Sequence, residues 1–167
     1  METIKTDRLV LRQPKKSDKK LLFSLLNDNK IQEFLHHIYC ENSSDIDEFI
    51  SLSHLSDFQS DFCFILENKK SKEIVGLIEA YVTSDNILSV SYAIKESARG
   101  NGFISEALKA FIIYIFSKKL NILYIEFSIR KDNNASINIM KKLNVPLYRS
   151  MLKYNSYRLT MQEKPSW

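Results

Sequence analysis

Arg99-Gly100-Asn101-Gly102 joins an alternating stretch, Leu88 to Ile94, to a long segment with an apolar stripe that starts at Phe103. A strand that passes through glycines into a helix is suited to holding an anion. The first N–H groups of a helix have no internal partners, and the helix dipole adds positive potential there. Glycine lets a phosphate approach the backbone closely. The chain has three glycines in 167 residues, two of them in this turn, where average usage is about 7%. The same pair would also serve a plain tight turn into the helix. No G-x-x-x-x-G-K-[ST] occurs, so this is not a P-loop, and the third glycine of a dinucleotide fingerprint is missing.

Other chemically capable side chains are scattered. Glu79 lies on an alternating stretch, facing either solvent or an acceptor channel. Ser136 opens a late helix, as a cap or as a proton donor. Tyr92, Tyr154 and Tyr157 read as packing residues with wet hydroxyls, or as proton donors lining a substrate site. His36, His37 and Cys40 are three possible metal ligands with no fourth in a recognisable motif, so no metal site is expected. Cys40 and Cys63 are too few and too far apart for a disulfide framework and read as small buried hydrophobes.

The surrounding chain reads as one domain over residues 1–167, without repeats, low-complexity tracts or linkers. Hydrophobic residues are 44% and charged residues 26%, which argues against disorder and coiled coil. No apolar run approaches the about 20 residues of a membrane span. Residues 1–7 lack the apolar core of a secretory signal, so a cytosolic protein without membrane partners is expected. The net charge of +4 is mild and spread along the chain, a weak basis for nucleic-acid binding, which is not expected. Richness in Lys, Ile and Asn suits an AT-rich bacterial genome.

Arg8 to Arg12 alternates as a strand, and Ser17-Asp18 offers an N-cap to a helix through Leu21, Leu22, Leu25 and Leu26. Ile31 to Ile38 reads as a short helix, and Ser43-Ser44-Asp45 as the cap of another through Ile46, Phe49, Ile50 and Leu52. Phe62–Leu66, Ile74–Val82 and Leu88–Ile94 then form an antiparallel meander. A helix from Phe103, a strand at Leu123–Ile129 and a helix over residues 133–143 follow. Tyr148–Lys153 and Tyr157–Met161 bracket a hairpin turn at Asn155-Ser156. The expectation is an α/β fold, with a mixed, mostly antiparallel sheet of about six to seven strands and about four helices. The unit from Leu88 to Ile129 supplies the parallel pair.

The order of these parts resembles the Gcn5-related N-acetyltransferase (GNAT) superfamily over nearly the whole chain. More narrowly it resembles the ribosomal-protein-alanine N-acetyltransferase branch. The carriers are Thr6-Asp7-Arg8-Leu9-Val10-Leu11-Arg12, the turn followed by Phe103-Ile104-Ser105-Glu106-Ala107-Leu108, and Asn133-Asn134-Ala135-Ser136 continuing to Lys141-Lys142-Leu143. The resemblance implies acetyl-coenzyme A as cosubstrate, no metal, and a small-molecule or peptide primary amine as acceptor. It implies that Arg99, Gly100, Asn101, Gly102, Phe103 and Ile104 hold the pyrophosphate. Ala93 and Ile94, on a strand that splays from the next, hold the pantetheine arm and polarise the thioester. Asn133 contacts the cofactor, and Ser136 both contacts it and is the acid for the leaving thiolate. The resemblance also implies that the early helices shape the acceptor pocket, which makes His36 or His37 a candidate bordering residue.

Three departures stand out. Ile104 replaces a small residue beside the phosphates, Asn144 replaces a glycine, and Met140 stands where many members carry a tyrosine acid. The catalytic assignments are therefore Ser136 and Glu79, with solvent as the proton sink. The function expected is N-acetyl transfer by direct attack in a ternary complex, in a monomer or homodimer. The alternative is a coenzyme A-binding regulatory module without turnover.

Overall fold

The computed structural model describes residues 2–28, 31, 42–55, 61–118 and 120–162. His36, His37, Cys40 and all but the first residue of the helix read over 31–38 lie outside the described residues.

Eight strands form one sheet: β1 (Ile4–Lys5), β2 (Leu9–Arg12), β3 (Asp61–Asn68), β4 (Ile74–Val82), β5 (Ile87–Ile94), β6 (Tyr124–Arg130), β7 (Leu147–Ser150) and β8 (Tyr154–Thr160), in the order β1-β2-β3-β4-β5-β6-β8-β7. Every neighbouring pair is antiparallel except β5 with β6. Among the described residues the α-helices of two turns or more are α1 (Lys19–Leu26), α2 (Ser43–Leu55), α3 (Phe103–Ser117) and α4 (Asn134–Lys142). The expected α/β fold stands, with one strand more than the upper expectation of seven. The addition is β1, whose two residues are too short to show alternation.

Alternation along the strands splits the core into two layers. On one face, Leu108, Phe111 and Ile112 of α3 and Met140 of α4 pack with Leu11, Phe64, Ile78 and Phe127. Phe111 meets the rings of Phe62 and Phe64 edge-on at 6.2 and 6.0 Å. On the other face, Leu22, Leu25 and Leu26 of α1 and Ile46 and Ile50 of α2 cover Ile65, Leu77 and Ala93. A bulge interrupts β4: Leu66 lies opposite Gly76 and Glu67 opposite Ile74, which leaves Val75 without a partner in β3. The bulge shifts the phase, so that Val75 and Ile78 enter one layer while Ile74 and Leu77 enter the other.

Three local readings are corrected. The α2 cap is Asn42, whose Oδ1 accepts from the Ser44 N–H at 2.9 Å, while Asp45 accepts from the Asn42 N–H at 3.0 Å. This reciprocal pair satisfies donors at both positions. Asp18 does not cap α1. Its carboxylate accepts the Lys15 N–H at 2.7 Å and a two-pronged bond from Arg12 at 2.8 and 3.0 Å, and Arg12 also reaches Glu67 at 2.8 Å. The last hairpin turns at Met151-Leu152-Lys153, with Met151 N–H donating to the Tyr154 carbonyl at 2.8 Å. Asn155 and Ser156 are inside β8 because Tyr157 buries opposite Phe127, and the Ser156 hydroxyl donates to Glu126 at 2.9 Å.

Candidate active site

β5 and β6 pair only where Ile87, Leu88 and Ser89 face Tyr124, Ile125 and Glu126. Beyond that point β5 stays with β4 as far as Ile94, and β6 stays with β8 as far as Arg130. The sheet therefore opens into a V. The Lys95 N–H donates to the Val75 carbonyl at 2.8 Å, and the Ala93 carbonyl is pressed against Gly76. Alternation turns the N–H and C=O of Ile94 the other way, into the opening. Gly76 makes this possible: a Cβ there would lie 2.3 Å from the Ala93 carbonyl oxygen. All three glycines of the chain thus serve this region.

After β5 a short 3-10 turn, Glu96–Ala98, leads to Gly100 and Gly102, both left-handed with φ of 76° and 75°. The Asn101 side chain locks the turn by donating to the carbonyls of Ala98 (3.2 Å) and Arg99 (3.1 Å). Gly102 is the N-cap of α3 and brings no side chain to it. The first intrahelical N–H bond runs from Glu106 to the Gly102 carbonyl at 3.1 Å. This leaves the N–H groups of Phe103, Ile104 and Ser105 outside the helical ladder, at the positive end of a 15-residue helix. The Ile104 side chain is 5% exposed and packs in the α3 core layer. It does not fill the anion site, and its amide remains available.

A cavity of about 480 Å³ runs from the V to this helix start. Ala93, Ile94, Arg99, Gly100, Gly102, Phe103, Ile104, Asn133 and Ser136 all line it, while Asn101 stands behind as the turn's lock. Asn133 caps α4, its Oδ1 accepting the Ser136 N–H at 3.1 Å. The cap role considered for Ser136 therefore falls to Asn133, and Ser136 lines the cavity from the first turn of α4.

Tyr92 also lines the cavity, from β5. Its ring stands edge-on to Phe127 at 6.4 Å, and its hydroxyl is buried without a hydrogen-bond partner. Burial pushes its pKa up to about 12. The Ser136 hydroxyl, near it but out of bonding geometry, acts in the opposite sense, and Tyr157 adds to the rise. Tyr154 borders a separate pocket with Arg130, Lys131, Asp132 and Lys153. Glu79 is not in the cavity lining. It faces Cys63 and Ser91 across its neighbouring strands, on the sheet face away from α3. The Cys63 thiol is pushed up by burial and then by the charge of Glu79.

Two cations escaped the sequence reading as site residues. Arg8 donates from Nε to Glu106 at 2.7 Å and from Nη1 to the Asn101 carbonyl at 2.9 Å, and lies 4.7 Å from the Phe103 ring centre. Thr6 donates to the same Glu106 at 2.5 Å. Burial alone would raise the Glu106 carboxyl, but Thr6 and Arg8 outweigh it and hold it below the usual value. A Cβ on Gly102 would sit 3.7 Å from Arg8 Nη2 and 3.9 Å from Lys142 Nζ, so both charges converge on the turn. Nothing in their local spacing announces this, because they come from the bend just before β2 and from the last residue of α4. Uncapped amides with two cations beside them suit an anion such as a phosphate, and the cavity that continues into the V leaves room for an arm attached to it. Among the described residues no group of His, Cys, Asp and Glu is arranged to hold a metal, and no helix is long and apolar enough to cross a membrane.

Residues 8–145 match the family model described as acetyltransferase (GNAT) domain. The chain is 26% identical over 146 residues to the uncharacterized N-acetyltransferase YoaA of Bacillus subtilis, covering 84% of this chain and 80% of that one. Its fold is similar to a GNAT-family acetyltransferase from Bacillus anthracis (TM-score 0.80, 16% identity, 97% and 100% of the two chains). It is also similar to the Salmonella typhimurium acetyl transferase that modifies the N-terminal serine of ribosomal protein L7/L12 (TM-score 0.77, 20% identity, 95% and 99%).

Proposed function

This chain belongs to the acetyltransferase (GNAT) domain family, and on that premise we propose that it moves an acetyl group from acetyl-coenzyme A to a primary amine by direct attack in a ternary complex. The acceptor is a protein N-terminus or a small amine, a choice that the resemblance to the ribosomal-protein branch does not fix. The observation that carries the reading is the continuous cavity from the β5–β6 opening to the uncapped start of α3.

In this reading the amides of Gly102, Phe103 and Ile104, with Arg99 and Gly100 beside them, receive the pyrophosphate, and Arg8 and Lys142 screen its charge. Ala93 and Ile94 align the pantetheine arm, and Asn133 contacts it. The Ile94 N–H, turned into the opening, faces the developing oxyanion, where a preplaced donor is most effective. Ser136 serves the departing thiolate. Glu79 belongs to the acceptor side, where waters it holds carry the amine's proton to solvent. The enzyme acts in the cytosol, as a monomer or homodimer.

Calorimetry with acetyl-coenzyme A and thioester consumption over an amine panel test this together. Binding followed by turnover with at least one amine is expected. Absence of binding refutes the reading. Binding without turnover on any amine favours a regulatory module instead. That alternative draws on one observation: no carboxylate or histidine lines the cavity among the described residues.

A further inference from the structure

A second cavity of about 480 Å³ is lined by Arg130, Lys131, Asp132, Lys153 and Tyr154. The ends of β6 and β8 bring it together. Arg130 lies opposite Tyr154, and one step further the Lys131 N–H donates to the Lys153 carbonyl at 3.0 Å. The wall carries three cations against one carboxylate, a surplus of two positive charges. Asp132 is engaged by Arg130, whose Nε donates to it at 3.0 Å. Among the described residues no carboxylate pairs with Lys131 or Lys153. Like charges set across an antiparallel pair repel and destabilise it. Packing does not demand this arrangement, since Lys131 and Lys153 are both exposed. An anion between the two lysines relieves it.

Two features tie this cavity to the candidate active site. The first is a shared wall. The turn Arg130–Asn133 is closed by the Asn133 N–H donating to the Arg130 carbonyl at 3.0 Å. Asn133 lines the larger cavity, while Arg130, Lys131 and Asp132 line the basic one. The ends of such a turn are less than about 7 Å apart. The second is the sheet face. Ile125, Phe127 and Ile129 of β6 enter the α3 layer, so Arg130 and its partner Tyr154 lie on the opposite face, which α1 and α2 cover elsewhere. The larger cavity reaches that face as well, because Ile31 of the α1–α2 layer lines it. On the same face of β6 the Glu126 carboxylate is already held by Arg158 and by Ser156.

We propose that the basic cavity binds an anionic group of the acceptor, so that the amines acetylated are those with a carboxylate close to the amine. The carboxylate belongs to an acidic residue beside a peptide N-terminus or to a small amino acid. Lys131 and Lys153 supply the charge, and Tyr154 supplies a hydroxyl and a ring wall. The same charge repels polycationic amines. The proposal rests on the acetyl-transfer reading above. It makes Lys131 and Lys153 specificity-determining residues that act on acceptor binding and not on the attack.

Thioester consumption at subsaturating acceptor tests this, because it reads kcat/KM. In the peptide arm, Ala-Asp-Ala is compared with Ala-Asn-Ala and Ala-Lys-Ala, all amidated so that no other carboxylate is present. In the small-molecule arm, β-alanine and γ-aminobutyrate are compared with their amides. The wild type should favour the acid over its amide about tenfold in at least one arm, from about two- to fivefold for each exposed lysine. That preference should shrink in high salt. The double variant Lys131→Glu/Lys153→Glu should invert the peptide ratio, so that Ala-Lys-Ala is used better than Ala-Asp-Ala. Each ratio is taken on one enzyme sample, so any loss of folding or of coenzyme A binding cancels, and a merely structural role for the lysines would leave the ratio unmoved. The arm with the larger preference identifies the source of the carboxylate. A wild-type ratio near one in both arms, or a ratio that survives the double charge reversal, overturns the proposal while leaving acetyl transfer standing. Absence of turnover with every amine, acidic or not, would instead remove the acetyl-transfer reading and this proposal with it.

Discussion

Replacing Gly76 by alanine should damage the fold and the candidate site together, although the glycine is neither in the Gly100–Gly102 turn nor left-handed. Its added Cβ would lie 2.3 Å from the Ala93 carbonyl oxygen, about 1 Å short of ordinary contact. The obstacle is backbone of a paired strand, so no side chain can swing aside. β5 must move away from β4, at an overpacking cost of about 3 kcal/mol, the upper end for such insertions. In urea this corresponds to a midpoint lower by roughly 1–2 M for a chain of this size. Gly100→Ala is the control. Nothing lies within 4 Å of its added Cβ, so only its φ of 76° opposes the change, at about 1–2 kcal/mol. Because Ala93 and Ile94 ride on β5, a displacement near 1 Å should also slow acetyl transfer by about 10²-fold. Urea unfolding and the rate of thioester consumption measure the two effects. A Gly76→Ala protein with the wild-type midpoint and wild-type rate would show that β4 and β5 do not need this close approach.

Ile104→Ala should lower stability by about 2–5 kcal/mol while acetyl-coenzyme A affinity stays the same, because the side chain is core and only its amide faces the site. Tighter binding at an unchanged melting temperature would reverse that assignment. Lys142→Ala should weaken acetyl-coenzyme A about two- to fivefold and flatten the salt dependence of binding, as for an exposed charge. Acetyl-pantetheine, which lacks the nucleotide phosphates, should bind both proteins equally; an equal loss for it would place Lys142 elsewhere. Acid unfolding should report Asp18. Burial pushes its carboxyl up, but Arg12 and the Lys15 N–H outweigh this and leave it below the usual range. The folded state then binds this proton less readily than the unfolded state, so the contribution is complete above about pH 4 and is lost as pH falls through the folded value. Asp18→Asn should therefore be less stable at neutral pH and lose less on acidification; equal acid sensitivity would discount the Arg12 pair.

The glycine turn was legible because it concentrates a residue the chain otherwise avoids, and α3 because Ala107, Leu108, Phe111, Ile112 and Ile115 repeat on one helical face. Such signals are local. The need for glycine at position 76 is set by the register that puts it beside Ala93, and no window of sequence contains both. The same holds for Tyr92 with Ser136, and for Arg8 and Lys142 over Gly102, which meet only after the sheet and helices have packed. The hairpin slip had another cause. Asn155-Ser156 has the composition of a turn, but the pairing of Tyr157 with Phe127 draws it into β8. The turn falls on Met151-Leu152-Lys153, where Leu152 is left 91% exposed without any glycine or proline to mark it.

The bonds from Thr6 and Arg8 to Glu106 span 98 to 100 residues of chain. During synthesis the N-terminal strands leave the ribosome long before the helix that they brace. At about 5–20 residues per second, the carboxylate they need follows roughly 5–20 s later. Leu9 and Leu11 must wait, with the apolar layer they will join still unmade. The glycine turn at the start of α3 is therefore braced late in folding, and by the oldest residues of the chain. Occupancy by a ligand that binds only the closed form would tighten the N-terminal edge of the sheet as firmly as the turn itself.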